Sequence, residues 1–245
     1  MSGRRLDEPG EAMVGAPAVA RPSTAARTAV TGRTAVTGRT VATEADPPNP
    51  MLVIISGPSG VGKDTIIAAL QRRGHVPEYY YVVTCTTRHR RRGEIDGVSY
   101  HFLSVAGFLA MRDAGELLEA NEVHGNWYGT PRAGVREALA RGQHAILKID
   151  VQGAEVVKRK APGALLIFVV PPSMETLVEH LKARRTESAE QLEIRQRNAA
   201  MELARKDEYD HVVVNEENHV DVTAERIEAI ISQEERRGPR RQVIV

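Results

Sequence analysis

A run of β-branched and aliphatic residues, Met51-Leu52-Val53-Ile54-Ile55-Ser56, passes directly into Gly57-Pro58-Ser59-Gly60-Val61-Gly62-Lys63-Asp64-Thr65 and then into an amphipathic stretch. This is G-x-x-x-x-G-K between a strand and a helix, the pattern of a phosphate-binding loop. The spacing has a chemical cause. Glycines let backbone N–H groups curl around a triphosphate, the helix N-terminus adds partial positive charge, and the lysine reaches the β- and γ-phosphates. An ordinary Gly-rich turn would account for Gly57 and Gly60 but not for Lys63 at that offset. An ATP site over Gly57, Pro58, Ser59, Gly60, Val61, Gly62, Lys63, Asp64 and Thr65 is therefore expected. The motif departs from pattern at Asp64, where Ser or Thr ordinarily helps hold Mg²⁺. The residue types leave two roles for Asp64: a metal residue, direct or through water, or an acid favoured at a helix start by the macrodipole.

Around this loop the chain alternates short apolar runs with amphipathic stretches, the signature of an α/β fold with a parallel sheet. Expected strands are 51–56, 81–85, 144–149, 164–170 and 211–214. Most lack period-2 alternation, as strands buried on both faces should. Expected helices are 63–73, 105–114, 132–141, 174–185, 190–206 and 222–236. Residues 50–237 are thus expected to form one domain, with 238–245 as a basic end.

Residues 1–49 differ in kind. Ala, Thr, Gly, Pro and Arg dominate, and the hexamer Arg27-Thr28-Ala29-Val30-Thr31-Gly32 recurs from Arg33 and in a decayed copy from Arg39. Such a composition cannot build a core. It reads as a disordered low-complexity extension, or as sequence upstream of a later start. The Arg- and hydroxyl-rich, acid-free stretch 12–43 also resembles an organellar transit peptide, but amphipathic periodicity is missing and Gly32 and Gly38 weaken a helix.

Charge and cysteine content remove several classes. Lys and Arg total 33 against 32 Asp and Glu, a formal charge of +1, so no global field draws the protein onto nucleic acid or an anionic membrane. The single cysteine, Cys85, allows neither an internal disulfide nor a Cys-rich zinc site, which fits a reducing, cytoplasmic compartment. No apolar run approaches the roughly 20 residues that span a bilayer.

A second anion site is legible after the second strand. Arg88, Arg90, Arg91 and Arg92 follow Thr84, Thr86 and Thr87. A solvated patch or a nucleic-acid footprint is the plainer reading, but no stacking aromatics are interleaved here. A kinase with one nucleotide on its Gly-rich loop needs a separate clamp for an acceptor phosphate, and arginine forks suit it.

With these motifs in order the chain resembles the guanylate kinase family from Met51 to about Arg236. The resemblance rests on Gly57–Lys63, Thr84-Cys85-Thr86-Thr87-Arg88, Gly93-Glu94 with Gly97 and Tyr100, Gly125-Asn126-Trp127-Tyr128-Gly129-Thr130, Ile149-Asp150-Val151-Gln152-Gly153 and Val212-Val213-Val214-Asn215. It implies a P-loop NTPase-type parallel sheet core, a small mixed or antiparallel GMP-binding subdomain at about 83–131, and a helical lid at about 184–197. It implies transfer of the γ-phosphoryl of ATP to GMP with Mg²⁺, small-molecule substrates, no nucleic-acid or membrane partner, and a monomer or homodimer. By the same resemblance Arg88, Arg91, Tyr100 and Tyr128 would hold the GMP phosphate, and Thr84, Glu119, Thr130 and Asp150 would read guanine. Lys63, Arg88, Arg184 and Arg195 would serve the transfer, and Asn215 would contact adenine. A carboxylate suits guanine because N1–H and the exocyclic amine are both donors.

Asp150 keeps two roles at this stage, a strand-end acid holding Mg²⁺ through water or a residue of the guanine side. Lys148 stands where family members commonly carry an acid and could be a local salt-bridge partner. Two other classes compete with the enzyme: a guanylate-kinase-like interaction module with a decayed ATP loop, and a kinase for another small phosphorylated acceptor. Lys63 and the intact glycines weigh against the first, Glu119 with Thr84 and Thr130 against the second.

Overall fold

The computed structural model describes residues 49–75, 78–123, 125–182, 189–238 and 243. In chain order its elements are β1 (Leu52–Ser56), α1 (Lys63–Arg73), β2 (Tyr80–Tyr81), β3 (Cys85–Thr86), β4 (His101–Phe102), α2 (Val105–Asp113), β5 (Leu117–Val123), β6 (Asn126–Pro131), α3 (Arg132–Ala140), β7 (Ala145–Lys148), α4 (Val151–Lys160), β8 (Leu165–Val170), α5 (Met174–Lys182), α6 (Ala189–Leu203), β9 (His211–Val214) and α7 (Val220–Arg236).

Strand β1 is buried along its whole length. Side chains alternate across a strand, and here both faces find apolar partners. Val53 and Ile55 join a cluster with Ile66, Leu70, Ile227 and Ile231. Leu52 and Ile54 join another with Val135, Ala154, Val157 and Leu166. Helices thus cover the sheet on both sides, which is why the strand carries no polar alternation. The sheet has five strands in the order β2-β7-β1-β8-β9, all parallel, with Val53 in register with Ile146 on one side and Leu165 on the other. The expected parallel α/β core is present.

The second sheet has four strands in the order β4-β3-β6-β5. Strands β3 and β4 run parallel and the other pairs antiparallel, so it is mixed. It has its own small core, in which Cys85, Phe108 and Leu117 are buried with Trp127 packed against them. The single strand expected at 81–85 is two short ones: Tyr80–Tyr81 pairs in the core sheet with β7, and Cys85–Thr86 pairs in the second sheet with β4 and β6. The chain crosses between sheets within what reads as one apolar run.

Four elements lie outside the sequence expectations: β4, β5, β6 and helix α4. Helix α4 had a signal. Asp150 caps it by accepting from Gly153 N–H at 2.8 Å, Val151, Ala154 and Val157 are buried at helical spacing, and Lys158, Arg159 and Lys160 close the last turn. The expected 174–185 helix is described only to Lys182. Residues 183–185, the extension before 49 and part of the lid at 184–197 lie outside the described residues.

Candidate active site

The C-terminal end of β1 and the start of α1 form one wall of the site. Gly57 has φ +143°, and a Cβ there would sit 2.3 Å from Val169 O, so the loop can lie against β8 only with glycine at this point. Gly62 occupies the N-cap of α1 in the left-handed region and brings no capping side chain, so the first N–H groups of the helix face the cleft. Asn215 holds this loop in place. Its Nδ2 donates to Val61 O at 2.9 Å, and its Oδ1 accepts from Thr223 Oγ1 at 3.0 Å.

Lys63 folds back over the loop, donating to Gly57 O at 2.6 Å and Pro58 O at 3.0 Å. Burial pulls its pKa down to about 8, against the opposing pull of Glu202, Asp150 and Asp64. Helix α6 reaches the same loop. Arg195 Nη2 donates to Ser59 Oγ at 2.6 Å, and Ser59 N–H donates to Glu202 Oε2 at 3.2 Å. The carboxylate of Glu202 thus stands at the lip of the phosphate loop.

The second sheet supplies the opposite wall. Arg88 forks onto Glu94, with Nη2 to Oε1 at 2.7 Å and Nη1 to Oε2 at 3.1 Å, and Glu94 also accepts from Arg91 N–H at 2.7 Å. This holds the guanidinium 5.4 Å from the Tyr100 ring centroid. The Tyr128 ring lies 6.2 Å from that of Tyr100.

Glu119 on β5 is 3% exposed. Its Oε1 accepts from Thr130 Oγ1 at 2.7 Å and its Oε2 from Asn121 Nδ2 at 2.8 Å. Burial outweighs these bonds and pushes its pKa up to about 7. Helix α4 closes over it, since a Cβ on Gly153 would lie 3.2 Å from Glu119 Oε2.

One cleft of about 700 Å³ joins the two walls. Ser59, Gly60, Gly62, Lys63, Asp64 and Thr65 line its phosphate-loop side, and Thr84, Arg88, Arg91, Tyr100, Glu119 and Tyr128 line the other. Gly57, Asp150, Arg195 and Asn215 also line it. Pro58 contributes its carbonyl to Lys63, and Val61 is buried and gives its carbonyl to Asn215. Thr130 is fully buried and meets the cleft through Glu119. Arg184 lies outside the described residues. Lys148 also lines the cleft, and its ammonium pairs with Asp64. Sequence reasoning passed over Asn121, Glu202 and His180. The last two also line the cleft, and Asn121 had a signal, a polar residue two places after Glu119 on the same strand face.

The family model described as guanylate kinase matches residues 49–234. The chain belongs to the guanylate kinase family. Among its relatives, the guanylate kinase of Nocardia farcinica is 47% identical over 168 residues, 68% of this chain and 86% of that one. That of Carboxydothermus hydrogenoformans is 42% identical over 184 residues, 75% of this chain and 88% of that one. A rice protein named guanylate kinase 2, chloroplastic/mitochondrial, is 40% identical over 202 residues, covering 81% of this chain and 70% of that one. The crystal structure of guanylate kinase from Anaplasma phagocytophilum superposes on this guanylate kinase family member with TM-score 0.61 at 31% identity, covering 77% of this chain and 87% of that one.

Proposed function

We propose that this chain transfers the γ-phosphoryl of ATP to GMP, giving ADP and GDP. The observation that carries this reading is the placement of Glu119, a buried carboxylate with one oxygen bonded to Thr130 and the other to Asn121, in the same cleft as Lys63. Each oxygen keeps a lone pair to accept from guanine N1–H and its 2-amino group. Adenine presents no such pair of donors and would leave the carboxylate unsatisfied, so discrimination against AMP can reach several orders of magnitude.

In this reading the loop from Gly57 to Thr65 and Lys63 hold the β- and γ-phosphates of ATP, with Asn215 bracing the adenine end of the loop. Arg88 and Arg91, with Tyr100 and Tyr128, hold the GMP phosphate. Thr84, Glu119, Thr130 and Asp150 form the guanine side, with Asp150 also capping α4. Arg195 and Arg184 complete the charge around the transferring group. No base is required, because an oxygen of the GMP phosphate is already an anionic nucleophile, and catalysis is alignment plus charge stabilisation.

Mg²⁺ fits this site. It takes most of its ligands from water and nucleotide phosphate, so one carboxylate suffices. The Asp64 side chain is 77% exposed beside Lys63 and lines the cleft with Thr65. Asp64 and Thr65 would hold the ion with its water shell, and when bound it would neutralise charge on the β- and γ-phosphates.

We further assign catalysis to a domain of residues 50–237, with a GMP-binding part at about 83–131 and a lid at about 184–197, working in the cytoplasm as a monomer or homodimer. No helix among the described residues is long and apolar enough to cross a membrane. A coupled assay of the purified chain with ATP and Mg²⁺ against GMP, AMP, UMP and CMP tests the activity. Turnover with GMP alone is expected, and comparable turnover with AMP would overturn the assignment.

A further inference from the structure

We propose that Lys148 is a catalytic residue of the phosphoryl transfer, a fixed cation that bonds the transferring group between the donor and acceptor phosphate sites. The proposal rests on the ATP:GMP reading above and adds to it a residue that the motifs leave without a catalytic role.

Position comes first. Lys148 is the last residue of β7, and its ammonium meets two partners from opposite walls of the cleft. One is the Asp64 carboxylate, adjacent in sequence to the phosphate-loop lysine. The other is the Tyr100 ring, whose centroid lies 5.2 Å away and which also faces Arg88 at 5.4 Å. Lys148 therefore stands at the junction where the γ-phosphate of one nucleotide and the α-phosphate of the other must meet.

Energetics points the same way. An ion pair with a largely exposed carboxylate contributes about 0–1 kcal/mol, yet the Lys148 side chain keeps only 21% of its exposure to make one with an Asp64 that is 77% exposed. Against that desolvation, Tyr100 and Asp64 together prevail and hold the Lys148 pKa above its usual value, so the ammonium stays charged inside the cleft. Lys148 also repels the Lys63 ammonium across the same cleft. Two cations held in one cleft are favourable once phosphate oxygens lie between them, and in the transition state the charge on the three equatorial oxygens needs such donors.

The step balances without a proton transfer. An oxygen of the GMP phosphate forms a bond to the γ-phosphorus while the bond from that phosphorus to the β–γ bridging oxygen breaks, and the electron pair leaves with ADP. Lys148 keeps its proton and moves its hydrogen bond from Asp64 to an equatorial oxygen.

The test compares wild type with Lys148→Met, Lys148→Arg and the Asp64→Asn/Lys148→Met double variant, each first checked for an unchanged melting temperature. Lys148→Met is expected to lose kcat by about 10²- to 10³-fold, the scale for one charge-stabilising donor, with both KM values shifted far less, and Lys148→Arg is expected to recover part of it. Calorimetry in EDTA with a bisubstrate analogue, adenosine and guanosine joined by an oligophosphate, gives a second readout, and Lys148→Met is expected to bind it at least about tenfold more weakly. Asp64 is itself assigned to Mg²⁺, so the double variant is read metal-free, by its affinity for this analogue in EDTA. It regains affinity if Lys148 serves only to neutralise Asp64, and stays as weak as Lys148→Met if Lys148 bonds the phosphates. Recovered affinity in the double variant, or equal affinity of Lys148→Met and wild type for the analogue, would overturn the proposal. A wild type inactive toward GMP would remove the activity reading and the proposal together, whereas an active wild type with an unaffected Lys148→Met removes the proposal alone.

Discussion

The Thr130 hydroxyl donates to Glu119 Oε1 across 2.7 Å, and that bond occupies one of the lone pairs of a carboxylate that is 3% exposed. It leaves Glu119 oriented but still poorly solvated, with a pKa pushed up to about 7 by burial. The protonation state of the proposed guanine reader therefore changes near neutral pH.

GMP binding should follow that titration. Above pH 7 the carboxylate accepts from two guanine donors, and below it the added proton removes an acceptor. KM for GMP is expected to be flat above pH 7 and to rise toward tenfold per pH unit below it. GMP carries a phosphate that titrates nearby, so the quantity to measure is the ratio of KM between wild type and Glu119→Gln, which cancels that contribution. A ratio independent of pH from 5.5 to 8.5 would remove Glu119 from guanine recognition.

Asn121 should tune the same group. Its Nδ2 donates to Glu119 Oε2 at 2.8 Å, and hydrogen bonds to charged groups contribute about 1.5–3 kcal/mol. Asn121→Leu is expected to move the KM transition to higher pH and to lower kcat/KM for GMP at pH 7 about tenfold or more, while KM for ATP holds. An unmoved pH transition would reduce Asn121 to a packing residue.

If Lys63 meets the ATP phosphates as proposed, ATP binding is expected to take up protons in mildly alkaline buffer. Its pKa is about 8 in the free cleft because it is buried, and bound phosphates raise it again. Between the two values the bound state holds the proton that the free state has lost. At pH 8.5 roughly three-quarters of a proton is expected per ATP bound, and almost none at pH 7. Calorimetry in buffers of different ionisation enthalpy reads this directly. Lys63→Met should abolish the uptake, and an uptake that persists in that variant belongs to another group.

His144 makes the fold sensitive to mild acid. Its Nδ1 accepts from Met51 N–H at 3.0 Å, so the neutral ring carries its proton on Nε2, which lies 3.4 Å from Glu235. His75 and Tyr79 pack beside it. Burial, reinforced by His75 and opposed by Glu235, holds its pKa below the usual 6.5. The unfolded chain takes a proton near pH 6.5 while the folded chain does not, so stability falls as pH drops through that point, by up to about 1.4 kcal/mol per pH unit. His144→Gln should melt below wild type at pH 7.5, with the gap narrowing toward pH 5.5. Melting curves that stay parallel across this range would show that His144 does not titrate on unfolding.

Much of the core and the phosphate loop was legible in the chain because their causes are local. Gly57, Gly62 and Lys63 sit at offsets that only a strand-loop-helix turn uses, and the apolar runs of β1, β7 and β8 show no alternation because both of their faces are covered. Local patterns also placed most helices, from Gly74 after α1 to the apolar spacing of α7. The arginines after β2 and the acid at Glu119 were visible as residue types, and the ordered motifs gave them roles. Folding decided what they touch. The apolar run at 80–86 divides between two sheets because its ends pair with strands separated from it by tens of residues, and no local propensity encodes that choice. Asp150 caps α4 as well as facing the cleft, and Thr130 stands behind Glu119 because the β5–β6 pair turns its hydroxyl inward. Lys148 and Asp64 lie 84 positions apart, and only the parallel register of β1 with β7 brings the end of one strand beside the helix that follows the other. Residue types and short spacings set which chemistry the chain carries, whereas burial, charge pairing and the meeting of two walls depend on long-range contacts and exist only in the tertiary structure.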